Sequence, residues 1–271
     1  MPQIPLSVQI GMLAILISVF GLPHGALDAF LGRTSGLWGT PAQFVAFLIG
    51  YLAIAGAVIV IWYFAPLFSL SAFFIISAWH FGSDIKPQSA IERLAFGGAI
   101  LSLPAFFSFD RTASLLQALI SEDPTYFTSV LQVSALPLVG LTLLMVVLGK
   151  QHTDRKIEAI TTTLALVLFA WLLPPLFYFV IYFCALHSMQ HFKTVLRDLP
   201  KSDQNRAFVN AACLTFITVG LGAVAFVILR QSVTFDDAML RVTFIGLAAL
   251  TLPHMLLVDG LWRRRKAHSY E

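Results

Sequence analysis

The chain has 271 residues, 58% of them hydrophobic and 11% charged, with a formal net charge of +3. A soluble domain of this length carries about 25% charged residues, so polar side chain is too scarce here to cover a water-exposed surface. That excludes the soluble enzyme classes, and the basic residues, scattered between apolar runs, form no patch for nucleic acid.

Apolar runs fall at 5–25, 41–64, 66–84, 91–109, 127–149, 157–173, 175–192, 207–229 and 239–259. No Lys or Arg precedes the first run, and no convincing small-x-small cleavage site follows it, so it reads as a span and not as a secretory signal. The stretch from 41 to 84 would reach about 65 Å as one helix, against a hydrocarbon core of about 30 Å. It must break, and Pro66 is the natural place. Pro174-Pro175 divides the stretch from 157 to 192 for the same reason. The expected fold is all-α: a polytopic transmembrane helix bundle of about nine spans, with eight as the alternative count. It forms a single integral-membrane domain over residues 1–271.

Basic residues orient the bundle. With nine spans, one side carries 3 of the 17 Lys and Arg, namely Arg111, Arg230 and Arg241, and the opposite side carries the other 14. Short cytoplasmic loops hold the excess Lys and Arg. The N-terminus is therefore expected outside and the C-terminus in the cytoplasm, in a multi-pass protein of the cell (inner) membrane. Arg263-Arg264-Arg265-Lys266 reads as a topology anchor. Cys184 and Cys213 both lie in apolar stretches and imply no disulfide.

Five of the seven histidines sit at or near the ends of spans: His24, His80, His187, His191 and His254. In the nine-span arrangement all five fall at a similar depth on the cytoplasmic side. Ionisable residues at membrane depth are costly and default to function. Their settings are Pro23-His24-Gly25-Ala26-Leu27-Asp28, Trp79-His80-Phe81-Gly82-Ser83-Asp84, His187-Ser188-Met189-Gln190-His191, and Pro253-His254 with Asp259 further on. On an α-helix, His187 and His191 stack on one face at the spacing that chelates one ion. Asp28 and Asp84 each follow a histidine by four, where a carboxylate can take the ring N–H that faces away from a metal.

A lone H-x-x-x-H is usually structural, and a single His–Asp pair is more often a buried hydrogen bond or part of a proton path. Convergence of five histidines and three aspartates on one membrane side favours a metal site. Imidazole suits iron, copper, zinc and nickel alike, so ligand type does not choose the ion. Cys184, three before His187, could share its face, which keeps a thiolate ligand formally open, with helix packing the simpler reading.

The run from Leu176 to Phe183 is dense in aromatics and leads into His187. Ordinary packing accounts for any one of these rings. A tunnel of them beside a metal would suit a long apolar molecule drawn from lipid. No Walker motif, G-x-G-x-x-G, G-x-S-x-G or C-x-x-C is present, so nucleotide, acyl-transfer and thiol chemistry have no support.

The ordered motifs P-H-G-A-L-D at 23–28, W-H-F-G-S-D at 79–84, H-S-M-Q-H at 187–191 and P-H-M-L-L-V-D at 253–259 resemble the Brp/Blh family of bacterial and archaeal membrane β-carotene 15,15′-dioxygenases. The resemblance extends over essentially the whole chain. It implies an Fe(II)-dependent cut of the central double bond of bilayer-dissolved β-carotene by O₂, giving two all-trans-retinal molecules. Matched motif by motif, the ligands it implies are His24, His80, His187 and His191, with Asp28 and Asp84 orienting their rings. His254 is expected behind the ligands or on the substrate side, with a fifth-ligand role left open. By the same analogy a retinal-binding rhodopsin is a recipient of product. The alternatives are another membrane non-haem metal oxygenase (a carotenoid or lipid hydroxylase or desaturase) and a proton-coupled transporter using the His–Asp pairs.

Overall fold

A computed structural model of the chain describes residues 4–199 and 201–262, and every regular element among them is helical. The described residues fall into two compact units. One takes in the chain up to Ala65 and again from Phe183; the other is Pro66–Tyr182.

The second unit is built on α6 (Ala90–Phe107), which packs against α5 (Pro66–Phe81), α7 (Phe109–Ile120), α8 (Thr125–Leu148) and α9 (Thr153–Leu172). Small residues make α6 central: Ala95, Gly97, Ala99, Ser102 and Ala105 are buried along it. A Cβ on Gly97 would stand 1.8 Å from the Ala78 carbonyl oxygen, and one on Gly82 1.9 Å from that of Arg93. The backbones at the end of α5 and along α6 therefore touch, the close approach that small residues allow in membrane bundles. Ser89 caps α6 by accepting from the Glu92 N–H. From the short α10 (Pro175–Val180), the buried Tyr178 donates its hydroxyl to the Ile100 carbonyl at 3.0 Å.

The 110–126 connection holds more than loop. Its α7 buries Thr112, Leu116, Leu119 and Ile120 and exposes Asp110, Arg111, Ser114 and Gln117. That is the pattern of an amphipathic helix lying along a boundary between apolar and polar surroundings.

The first unit begins with α1 (Leu6–Leu16), a π-helical turn π1 (Ile17–Gly21), α2 (Leu22–Ala26), α3 (Asp28–Thr34) and α4 (Pro41–Phe64). A capping box, Thr40 with Gln43, and Pro41 in the first turn start α4. A second π-helical run, π2 (Ile181–Ser188), continues α10 and leads into α11 (Met189–Asp198), α12 (Lys201–Leu229), α13 (Phe235–Leu257) and π3 (Val258–Trp262). Within this unit α13 packs on α4, and α12 packs on α2.

Among the described residues five helices, α4, α6, α8, α12 and α13, are long and apolar enough to cross a bilayer. On α4 and α12 most apolar side chains are exposed, Ile49, Ile59, Phe216 and Val224 among them, and few are buried. Such surfaces need a hydrocarbon solvent. The other four expected spans are built differently. Residues 5–25 give α1, π1 and α2 in series, and 175–192 give α10, π2 and the start of α11. The 66–84 stretch yields a helix of 16 residues, or about 24 Å. The 157–173 stretch lies in α9, whose first turns carry Asp154, Arg155, Lys156 and Glu158. Both proline breaks appear where the covalent constraint puts them: α4 ends at Phe64 before Pro66, and α9 ends at Leu172 before Pro174-Pro175.

Candidate metal centre

In the first unit, His24 belongs to α2, directly after π1; its side chain lies outside the described residues. His187 is in π2 and His191 in the first turn of α11. The expected stacking of these two on one α-helical face assumes turns of 3.6 residues. Here π2 widens the turn through Ser188, and only Met189–His191 is α-helical. The His187 ring, 2% exposed, stacks on Phe183 at 5.9 Å with 19° between planes. Phe183 fits against Gly21, where a Cβ would stand 2.7 Å from its Cε1. A glycine in π1 thus makes room for the ring that backs His187.

Asp28 opens α3, and Leu27 separates it from α2, so residues 24 and 28 do not share one unbroken α-helical face. The carboxylate meets His254 of α13. Nδ1 of His254 lies 2.8 Å from Oδ1 and 3.0 Å from Oδ2 of Asp28, and the Tyr51 hydroxyl donates to Oδ2 at 2.8 Å. His254 is 4% exposed and Asp28 3%. Neighbouring Leu27, Phe30, Leu31, Leu257 and Val258 belong to one buried apolar cluster. A carboxylate in such surroundings is costly unless it is hydrogen-bonded to satisfaction, and α4 and α13 supply the donors. A carboxylate accepts only, so Nδ1 of His254 is the donor, and in a neutral ring the lone pair then lies on Nε2. The His254 ring stands 5.3 Å from that of His191, at 72° between planes.

In the second unit, α5 ends at Phe81 and Asp84 lies in the turn beyond it, off the helical face expected to carry both His80 and Asp84. Tyr182 donates its hydroxyl to Asp84 Oδ2 at 2.6 Å. His80, in the last turn of α5, is 3% exposed. The Ser83 hydroxyl donates to its carbonyl at 2.7 Å. The Arg93 guanidinium lies over the Trp79 ring, 4.1 Å from the centroid. Together with the contacts at Gly82 and Gly97, this clamps the His80 end of α5 to α6.

Two tyrosines therefore complete what the sequence motifs left open. Tyr51 and Tyr182 both present a phenol inside apolar helices, where the hydroxyl needs a partner. That requirement was the signal available, and Tyr182 stands in the aromatic run already noted. Cys184 is buried and directs its thiol to the carbonyl of Leu16, the residue where α1 passes into π1, which accords with helix packing. Both cysteines are free.

Each π-helical segment among the described residues adjoins a histidine motif: π1 precedes His24, π2 contains His187, and π3 follows His254 and contains Asp259. π-turns are rare and concentrate at functional sites, because they trade regular hydrogen bonding for a re-aimed side chain. No three His, Cys, Asp or Glu side chains among the described residues form a closed ion-binding group, and His24 stands outside that statement. The donor chemistry nevertheless suits a metal. Buried imidazoles predominate, and His254 carries the carboxylate on Nδ1 that metal-bound histidines use to set tautomer and ring orientation.

A family model described as β-carotene 15,15′-dioxygenase matches residues 15–262. The β-carotene 15,15′-dioxygenase of the uncultured marine bacterium 66A03 is 31% identical, over 92% of this chain and 92% of its own. The probable β-carotene 15,15′-dioxygenase Blh of Halobacterium salinarum is 25% identical, over 90% of this chain and 82% of its own. No solved structure matches the chain. The chain belongs to the β-carotene 15,15′-dioxygenase family, and with it to the carotenoid-cleaving dioxygenases.

Proposed function

We propose that this protein cuts the central 15,15′ double bond of β-carotene with O₂, consuming one C=C and forming two C=O groups as two all-trans-retinal molecules. The observation that carries the reading is the family match over nearly the whole chain, with the histidine motifs in the order given above.

His24, His80, His187 and His191 are the residues proposed to hold Fe(II). Four neutral imidazoles leave the ion its full 2+ charge. Bound iron would supply the activation of O₂. The chain's own part is to hold and orient. Phe183 backs the His187 ring, and Tyr182 fixes Asp84 near the end of α5. The apolar walls exclude water and accept a polyene that partitions into lipid.

The protein works in this reading as one integral-membrane domain of about nine spans in the cell membrane, N-terminus outside and C-terminus in the cytoplasm. The division of basic residues, 3 against 14, supports that orientation.

Expression in bacterial cells that make β-carotene tests the function. Bleaching with retinal as product supports it. A longer apocarotenal would move the cut along the polyene, and unbleached cells containing folded, iron-loaded protein would point to another lipid substrate.

A further inference from the structure

The geometry points to His254 as an additional imidazole of the metal centre, directing Nε2 at the ion that His191 binds, with Asp28 and Tyr51 as its positioning residues. This rests on the iron reading above and adds to the ligand set it contains.

Three observations converge within one unit. The first is the commitment of Nδ1: both Asp28 oxygens lie within 3.0 Å of it, which leaves Nε2 as the coordinating atom. A carboxylate on the distal nitrogen is the arrangement that raises imidazole basicity and fixes the ring in metal sites. The second is ring spacing. With metal–nitrogen bonds of about 2.1 Å, two imidazoles bound to one ion at 90–110° have centroids about 4.6–5.3 Å apart. The His191 and His254 centroids are 5.3 Å apart, with planes 72° from parallel. Stacked rings would point their nitrogens past each other; these do not stack. The third is local backbone. Pro253 cannot donate to the carbonyl one turn back, and π3 starts four residues after His254, so the α13 end is shaped on both sides of the ring.

Tyr51 has a role that packing alone would not require. Its hydroxyl donates to Asp28 Oδ2 and holds the carboxylate against His254 from the α4 side.

The experiment is anaerobic titration of the detergent-purified, metal-free full chain with Fe(II), with the EPR spectrum of the ferrous nitrosyl adduct as second readout. Wild type is compared with His254→Ala, Asp28→Asn, Tyr51→Phe and His187→Ala. The expected result is an affinity loss of about 10–100-fold for Asp28→Asn, a larger loss for His254→Ala, a few-fold loss for Tyr51→Phe, and altered nitrosyl spectra in the first two. Should His254→Ala fail to fold, Asp28→Asn gives the same reading. If His187→Ala loses iron while His254→Ala and Asp28→Asn keep wild-type affinity and spectrum, this inference falls and the iron reading stands. If the wild-type chain takes up no Fe(II), both fall together. Lowered melting temperatures with unchanged affinity and spectra would mark a structural pair and overturn the assignment.

Discussion

Asp28 and His254 lie 226 positions apart in sequence and 2.8 Å apart in the structure. The carboxylate that the motif P-H-G-A-L-D places after His24 thus bonds a histidine from the other end of the chain. The first and last histidine motifs of the sequence form one buried group.

That group should dominate the stability of its unit. Asp28→Ala would take the acceptor from His254 Nδ1 and leave the Tyr51 hydroxyl only its longer contact to the Leu250 carbonyl, at 3.4 Å, at a cost of about 1–3 kcal/mol. Tyr51→Phe removes one hydrogen bond and should cost about 1 kcal/mol. Thermal unfolding followed by size-exclusion in detergent ranks the two, and equal melting temperatures would contradict the network.

Each of His24→Ala, His80→Ala, His187→Ala and His191→Ala is expected to abolish retinal formation while the protein still inserts and folds. The measurement is product yield per unit of purified protein. Full activity in any one removes that residue from the ligand set.

Asp84→Ala should weaken iron retention by about 10–100-fold without eliminating it, and Tyr182→Phe should move it in the same direction by less. Iron content after dialysis against a weak chelator reads the difference. Unchanged content in Asp84→Ala would assign this carboxylate to packing.

Helix contact and open helix surface separate cleanly among the glycines. Gly97→Ala and Gly82→Ala would drive a methyl to 1.8 and 1.9 Å from a backbone carbonyl oxygen. Backbone cannot step aside cheaply, so each should cost at least about 1–3 kcal/mol and lower the yield of folded protein. Gly50 and Gly140 meet nothing within 4 Å, and alanine there should be neutral or stabilise by about 0.5–1 kcal/mol. Thermal shifts of the four variants give the comparison.

Gly21→Ala offers a gentler displacement. The obstruction is the edge of the Phe183 ring at 2.7 Å, a side chain able to turn away, and turning disturbs its stack on His187. The variant should fold and lose activity. Phe183→Leu in the same chain should recover part of the loss, and full activity in Gly21→Ala alone would dissociate Phe183 from the site.

Several features were legible because they follow from covalent constraint or from solvent. Proline has no N–H to donate, so the breaks at Pro66 and Pro174-Pro175 could be read directly. Residues as apolar as those of α4 and α12 have no stable place in water, so helices facing lipid were readable too. The histidine motifs stood out because charge is scarce in this chain. The pairing of Asp28 was not legible. The expectation that it would serve His24 rested on local spacing, which carries no signal of the bond from His254. Likewise the four-residue spacing of His187 and His191 assumed α-helical turns, while packing of Phe183 against Gly21 accompanies a π-helical run.

Hydropathy, proline chemistry and the placement of polar groups thus account for an all-helical membrane protein, its main breaks and its histidine motifs, since these are properties of single residues and their immediate neighbours. Which carboxylate holds which imidazole was settled by tertiary packing. A hydrogen bond between α3 and α13 depends on helix crossings, and local spacing carries no information about a donor 226 positions away. Burial of Asp28 made finding that donor obligatory.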